Sequence, residues 1–295
     1  MKTPTEKSND TIQIIVTRTC DLFYCSNCTQ LLPFRSDTTH MSPDVFRRAL
    51  RSLDGWPGVR GMFGGNPCTH PQFEELCRIM VEEVPDQRQR GIWTNNFLSH
   101  GQVVRDTFYP HGRFNLNAHA NPDIAAEMER WTPGKVIRTS ANRASWHSPV
   151  LIGYRDVGIS DEDWPAIREE CDINRRWSAA IREHDGEPMA YFCEVAAAMD
   201  GVTGENHGIP AVPGWWRWGI ERFDEQVEKC CGKCGIPLRG RGHLDVDKTY
   251  DFSKTHEQIV SVTIKRRPHL SAVKHDSPPD STPMATDYQK LWTKT

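Results

Sequence analysis

Thr17-Arg18-Thr19-Cys20-Asp21-Leu22-Phe23-Tyr24-Cys25-Ser26-Asn27-Cys28 sets three cysteines within nine residues, directly behind the apolar run Ile12-Gln13-Ile14-Ile15-Val16. Apolar and largely β-branched residues followed by a polar loop read as a short buried strand. That strand delivers three thiolates into one loop. Three thiolates are one short of a closed shell, and such a site keeps a position for a ligand that takes part in chemistry. Zinc, the alternative, usually takes four ligands from paired knuckles. No fourth ligand is obvious nearby, and His40 is distant in sequence.

Outward from this loop, strand and helix patterns alternate. Ser42-Pro43-Asp44 signals a helix start, because serine can cap and proline fits the first turn. A helical apolar face continues to residue 53. Residues 59–63 read as a second strand, ending in Gly64-Gly65-Asn66-Pro67, and a helix follows His70-Pro71. Residues 89–93 give a third strand, ending in Thr94-Asn95-Asn96, with a short helix near 102–107. Residues 113–118 give a fourth strand, 122–131 a helix, 135–140 a fifth strand ending in Ala141-Asn142, and 150–157 a sixth. This alternation predicts an α/β fold of parallel βα units with its site at the C-terminal strand ends. Six units in this length suit a partial (β/α)6 TIM-like barrel, since a full barrel takes about 250 residues.

The expected organisation is a flexible N-terminus at 1–10, the partial barrel at 11–160, a small cysteine-rich C-terminal metal module at 161–245 and an extension at 246–295, mobile beyond about 269. The 161–245 stretch is rich in Trp, Gly, Pro and Cys, and small irregular modules usually need a staple. Its run Trp215-Trp216-Arg217-Trp218 reads better as core than as a pocket lining. Net charge is −3 over 295 residues, which argues against a dedicated nucleic-acid binder. Mean hydropathy is −0.62, and no apolar run approaches membrane-spanning length. The first ten residues contain no signal-peptide hydrophobic region, so the expectation is a cytoplasmic protein without a membrane partner. Ten cysteines in that compartment point to metal rather than disulfides. Cys68 and Cys77 read as packing residues.

Over residues 12–145 the strand, the cysteine triad, GGNP and TNN together resemble the radical SAM superfamily. The resemblance implies a 4Fe–4S cluster on Cys20, Cys25 and Cys28 whose fourth iron chelates S-adenosyl-L-methionine. It implies cofactor contacts from Gly64, Gly65, Asn66 and Pro67, where the family's GGEP backbone binds the methionine amino group. It further implies contacts from Thr94 and Asn95, from Ser140 and Asn142, and from Tyr24 or Asn27 (or Phe23) near adenine. The chain departs from the family in three ways. Four residues rather than three separate Cys20 from Cys25, Asn27 stands where an aromatic residue often precedes the third cysteine, and Asn66 replaces the glutamate. His119, at the end of the fourth strand, is a candidate substrate contact.

Cys231-Gly232-Lys233-Cys234 is a knuckle, and with Cys171 and Cys193 it would supply four ligands, with Cys230 an alternative to Cys231. The region is similar in character to SPASM and twitch extensions, which implies an auxiliary 4Fe–4S cluster for electron transfer; zinc would satisfy the same thiolates. The resemblance therefore implies an enzyme that cleaves S-adenosyl-L-methionine reductively and abstracts hydrogen from a peptide or carbohydrate-like small molecule. Its one-electron donor would be a flavodoxin or ferredoxin. The alternative is a non-catalytic, zinc-stapled binding module with a tryptophan-rich partner surface.

Overall fold

A computed structural model describes residues 1–7, 10–21, 28–34, 39–119, 121–139, 150–176, 178–241 and 252–257. Its centre is β1 (Thr11–Thr17), every residue of which is buried. A parallel strand covered on both faces needs apolar residues at consecutive positions, which is why this segment lacks alternation. β2 (Val59–Gly64), β3 (Arg90–Thr94), β4 (Arg113–Asn117) and β5 (Ile137–Arg138) add in parallel on one side. The connections carry α1 (Pro43–Ser52), α2 (Phe73–Glu83), α3 (Gly101–Phe108) and α4 (Pro122–Trp131). Ser42 caps α1 by accepting from the Val45 amide, and Asn121 caps α4 by accepting from that of Ile124. Parallel pairing places the cysteine loop, GGNP, TNN and His119 at the same edge of the sheet, one after each of β1 to β4.

The strands after residue 160 join the same sheet. β6 (Ser178–His184) pairs in parallel with β1, β7 (Glu187–Tyr191) returns antiparallel, and β8 (Ile209–Pro210) pairs with β7. The order is β5-β4-β3-β2-β1-β6-β7-β8, a mixed α/β architecture. Asp185 and Gly186 form the β6–β7 turn with φ of 50° and 77°, the two left-handed residues of a type I′ hairpin. α5 (Trp164–Glu169) and α6 (Asp172–Arg176) precede the hairpin, and α7 (Glu194–Thr203) follows it.

Several expectations are corrected. Residues 150–157 are not a sixth strand, for Tyr154–Val157 is a short 3-10 helix. The backbone there pairs elsewhere: Gly235 donates to the Val150 carbonyl and Ser253 to that of Leu151. The sixth strand in chain order, β6, lies beside β1. Residues 220–231 run as a 3-10 turn, one α-turn and the π-turn Val227–Cys231. Residues 1–7 are anchored rather than frayed. Lys7 is only 2% exposed, and its Nζ donates to the Asn174 carbonyl at 2.9 Å. Trp215 and Trp216 are buried, and the Trp215 indole N–H donates to Ser52 Oγ. These two tryptophans are therefore core, which removes them from any partner surface. Among the described residues, no helix is long and apolar enough to cross a membrane. The extension beyond residue 257 lies outside the described residues.

Candidate active site

The chain leaves β1 at Thr17 and returns beside it. The Arg18 amide donates to the Thr39 carbonyl, the Met41 amide to that of Val16, and Thr17 forms an antiparallel bridge with His40. The cysteine loop is thus pinned at both ends. GGNP lies directly against its first residues, with the Gly65 amide donating to the Thr17 carbonyl and the Asn66 amide to that of Thr19, at 2.9 and 2.8 Å. A Cβ on Gly65 would stand 1.8 Å from the Thr19 carbonyl oxygen, and Gly64 has φ of 130°. Both glycines are thus required by the approach of the cysteine loop's own backbone, whatever else binds there.

Asn66, 2% exposed, is the hub of the site. Its Oδ1 accepts from the Cys68 amide and the Thr94 hydroxyl, and its Nδ2 donates to the Asn96 carbonyl and to Asp21 Oδ1. Asn95 Nδ2 donates to the same Asp21 oxygen at 3.0 Å. One carboxylate beside Cys20 therefore ties the β1, β2 and β3 loops together. The physical reason for asparagine at 66 follows from this pattern. A glutamate has no donor for Asp21 or for the Asn96 carbonyl, and it would set a second carboxylate against the first. Cys20 Sγ lies 3.9 Å from Asn95 Oδ1. Cys20 and Cys28 are both half-buried. Cys25, Tyr24, Asn27, Ser140 and Asn142 lie outside the described residues.

Behind the GGNP loop, His70 is buried between two backbone partners. Its Nε2 bonds the Met41 carbonyl, and its Nδ1 accepts from the Gln72 amide. Burial lowers its pKa, which favours the neutral ring with the proton on Nε2. Cys68 and Cys77 are both buried, and burial pushes the Cys77 thiol up to about 12. His119 follows β4 with φ of 46°, its amide donating to Asn117 Oδ1. The polar face of β4 is engaged as well, with Arg138 hydrogen-bonded to Asn115 Oδ1.

The second cysteine group converges. Cys171, Cys193, Cys231 and Cys234 line one cavity, together with Cys230, Phe192 and Asn174. Burial is the largest cause of raised pKa at all four, taking Cys171 to about 12; repulsion from neighbouring thiolates comes next at Cys171, Cys231 and Cys234, while at Cys193 Lys7 works the other way. Thiols this far from ionisation become thiolates only when a positive centre binds them. Lys7 places a buried amine close to the cage. Burial lowers its pKa most, while Cys193 and then Cys171 raise it. A tetrahedral shell on zinc–sulfur bonds of about 2.3 Å has sulfurs about 3.8 Å apart. Among the described residues, the group whose donor atoms all lie within 4.8 Å of one another is Asp200, His207 and Cys230, so no three of the cage sulfurs stand that close together.

No family model matches the chain. No curated protein matches it either. Among solved structures the chain is similar to BtrN in complex with AdoMet and 2-DOIA, at 18% identity over 84% of this chain and 99% of that one, with a TM-score of 0.48. A likeness of that degree carries no functional conclusion.

Sequence reasoning missed Lys7, Asp21 and the Asp200–His207 pair. Lys7 sits in a polar stretch that looks frayed, and its burial depends on α6, more than 160 residues away. Asp21 needed only the question of what faces Asn66. The β6–β7 hairpin carried a readable signal, Asp-Gly between two apolar segments.

Proposed function

We propose that this chain is a radical SAM enzyme built on a partial βα barrel. The observation that supports it best is Asp21, whose single Oδ1 binds the GGNP and TNN loops beside Cys20. Three loops that resemble the superfamily's motifs are thereby joined into one unit. Cys20, Cys25 and Cys28 would hold a 4Fe–4S cluster, with S-adenosyl-L-methionine on its fourth iron. Bound there, the cluster would pass one electron from an external donor to the sulfonium and so supply the radical chemistry that takes hydrogen from substrate. The chain's own part is positional. The bridge between Thr17 and His40 fixes the loop's ends, and the Asp21–Asn66–Asn95 bonds fix the side of Cys20 that faces β2 and β3.

The cage of Cys171, Cys193, Cys231 and Cys234 would hold an auxiliary 4Fe–4S cluster. Four soft donors set wider than a zinc shell suit a polynuclear centre. With all its irons ligated by cysteine it would carry electrons, which fits a net two-electron oxidation. We assign the substrate to peptides or carbohydrate-like small molecules on the superfamily resemblance alone. A flavodoxin or ferredoxin in the cytoplasm would be the electron donor.

Anaerobically purified protein should be brown and carry about eight irons. With dithionite and S-adenosyl-L-methionine it should release 5′-deoxyadenosine. Cys193→Ala should lose about half the iron and keep the first cluster. A colourless protein with stoichiometric zinc and no 5′-deoxyadenosine would refute the proposal.

A further inference from the structure

Cys230 adjoins Cys231 and lines the same cavity as the four cage cysteines, yet its sulfur also reaches a second group of donors. Successive residues of a helical turn point in different directions, and in the π-turn Val227–Cys231 the two sulfurs serve different surroundings. Cys231 is placed against Cys193 and Cys171. The sulfur of Cys230 lies within 4.8 Å of donor atoms from Asp200 and His207. Three elements thus meet: the C-terminal half of α7, the loop after it, and the π-turn. Asp200 is 1% exposed, the His207 side chain 12% and Cys230 4%.

We propose that Asp200, His207 and Cys230 form a site for one divalent ion of the zinc class, separate from both cysteine clusters. The donor set selects the ion. A thiolate disfavours magnesium and calcium, while sulfur, imidazole nitrogen and carboxylate oxygen together suit zinc. The outer partners are in place. Tyr191 Oη and the His207 amide both donate to Asp200 Oδ2, at 2.9 and 2.6 Å, so the carboxylate is held with Oδ1 turned toward the ring. Asp200 Oδ1 and His207 Nδ1 are 2.7 Å apart and share a proton in the absence of an ion. A cation takes that proton's place, the ring keeping its one N–H at Nε2, and displaces the Cys230 thiol proton to solvent. Three protein ligands leave a fourth position, which a water fills on the side where His207 reaches the surface. The ion ties the end of α7 to the turn that carries Cys230 and Cys231.

The test uses cluster-loaded protein, with iron and zinc measured by mass spectrometry and cobalt(II) as a spectroscopic probe. Wild type should bind about one zinc per chain beyond its iron. Cobalt should show thiolate-to-metal charge transfer. Cys230→Ser and His207→Gln should each weaken zinc binding more than about tenfold and leave iron unchanged. His207→Gln, at the partly exposed ligand, keeps the test valid if Cys230→Ser fails to fold. No zinc in wild type, or equal zinc in His207→Gln, overturns the site. Zinc that follows Cys193→Ala instead belongs to the cage, and then it is the auxiliary-cluster reading that fails as well. Iron lost in Cys230→Ser makes Cys230 a cluster ligand and overturns the assignment.

Discussion

Asn66 shows how a departure from a family pattern can be a paired change. Its amide spends two acceptor and two donor bonds on four partners from three loops, one of them Asp21. Glutamate at this position would lose both donor bonds and bring like charges together in a buried setting. Leaving buried groups unsatisfied costs about 1–3 kcal/mol each. Asn66→Glu should therefore lower the melting temperature and abolish most 5′-deoxyadenosine release. Adding Asp21→Asn restores a donor opposite the new carboxylate and removes the repulsion. The double variant should recover much of both losses, and a thermal melt with product quantification on all four proteins checks this. If the losses simply add, Asp21 and Asn66 are not coupled and the hub is misread. At this scale the sequence showed the motif residues but not their bonds, because the carboxylate and the amide are 45 positions apart.

Elements were legible where hydrophobic patterning was local. β1 to β3 read as apolar segments and β4 as Phe114 and Leu116 alternating with Asn115 and Asn117, all bounded by turns and within a residue or two of their observed ends. Residues 150–152 form the same kind of run and are not a strand, since apolar composition reports burial rather than pairing. Their carbonyl partners come from residues 235 and 253, which no local pattern reveals. β6 was missed for the opposite reason, since it ends in the charged segment Arg182-Glu183-His184. The junction of β1 and β2 is where element geometry decides function. Gly65→Ala would set a methyl 1.8 Å from a main-chain oxygen that has no flexible side chain to yield. The loop carrying Cys20 must then shift. Iron should fall by about half, with the auxiliary share retained. Gly134→Ala is a control in the open, with nothing within 4 Å of the added carbon and the strain of a φ of 76° alone. If Gly65→Ala keeps full iron, the close approach of the two loops does not hold the cysteines.

For the whole molecule, Lys7 joins the start of the described chain to its cysteine-rich later part. Its ammonium is buried, and hydrogen bonds to the carbonyl and the side-chain oxygen of Asn174 hold it in the α6 turn that begins just after Cys171. Burial works against its charge, and the thiolates of Cys193 and Cys171 work in favour of it. The balance depends on whether the cage is loaded. With neutral thiols the ammonium has few counter-charges, and an apolar side chain of similar length in its place should be neutral or stabilising. With four thiolates around a bound cluster, the cage is anionic and Lys7 is a charge partner. Removing one member of a buried pair then costs about 3–5 kcal/mol. Lys7→Met should therefore destabilise the iron-loaded protein by that order and leave the iron-free protein near wild type. Denaturant unfolding of both forms under anaerobic conditions measures the difference. An equal loss in both forms would make Lys7 a packing residue whose charge does not serve the cage. A loss confined to the loaded form would show that a segment far from the cysteines in sequence helps to hold their cluster.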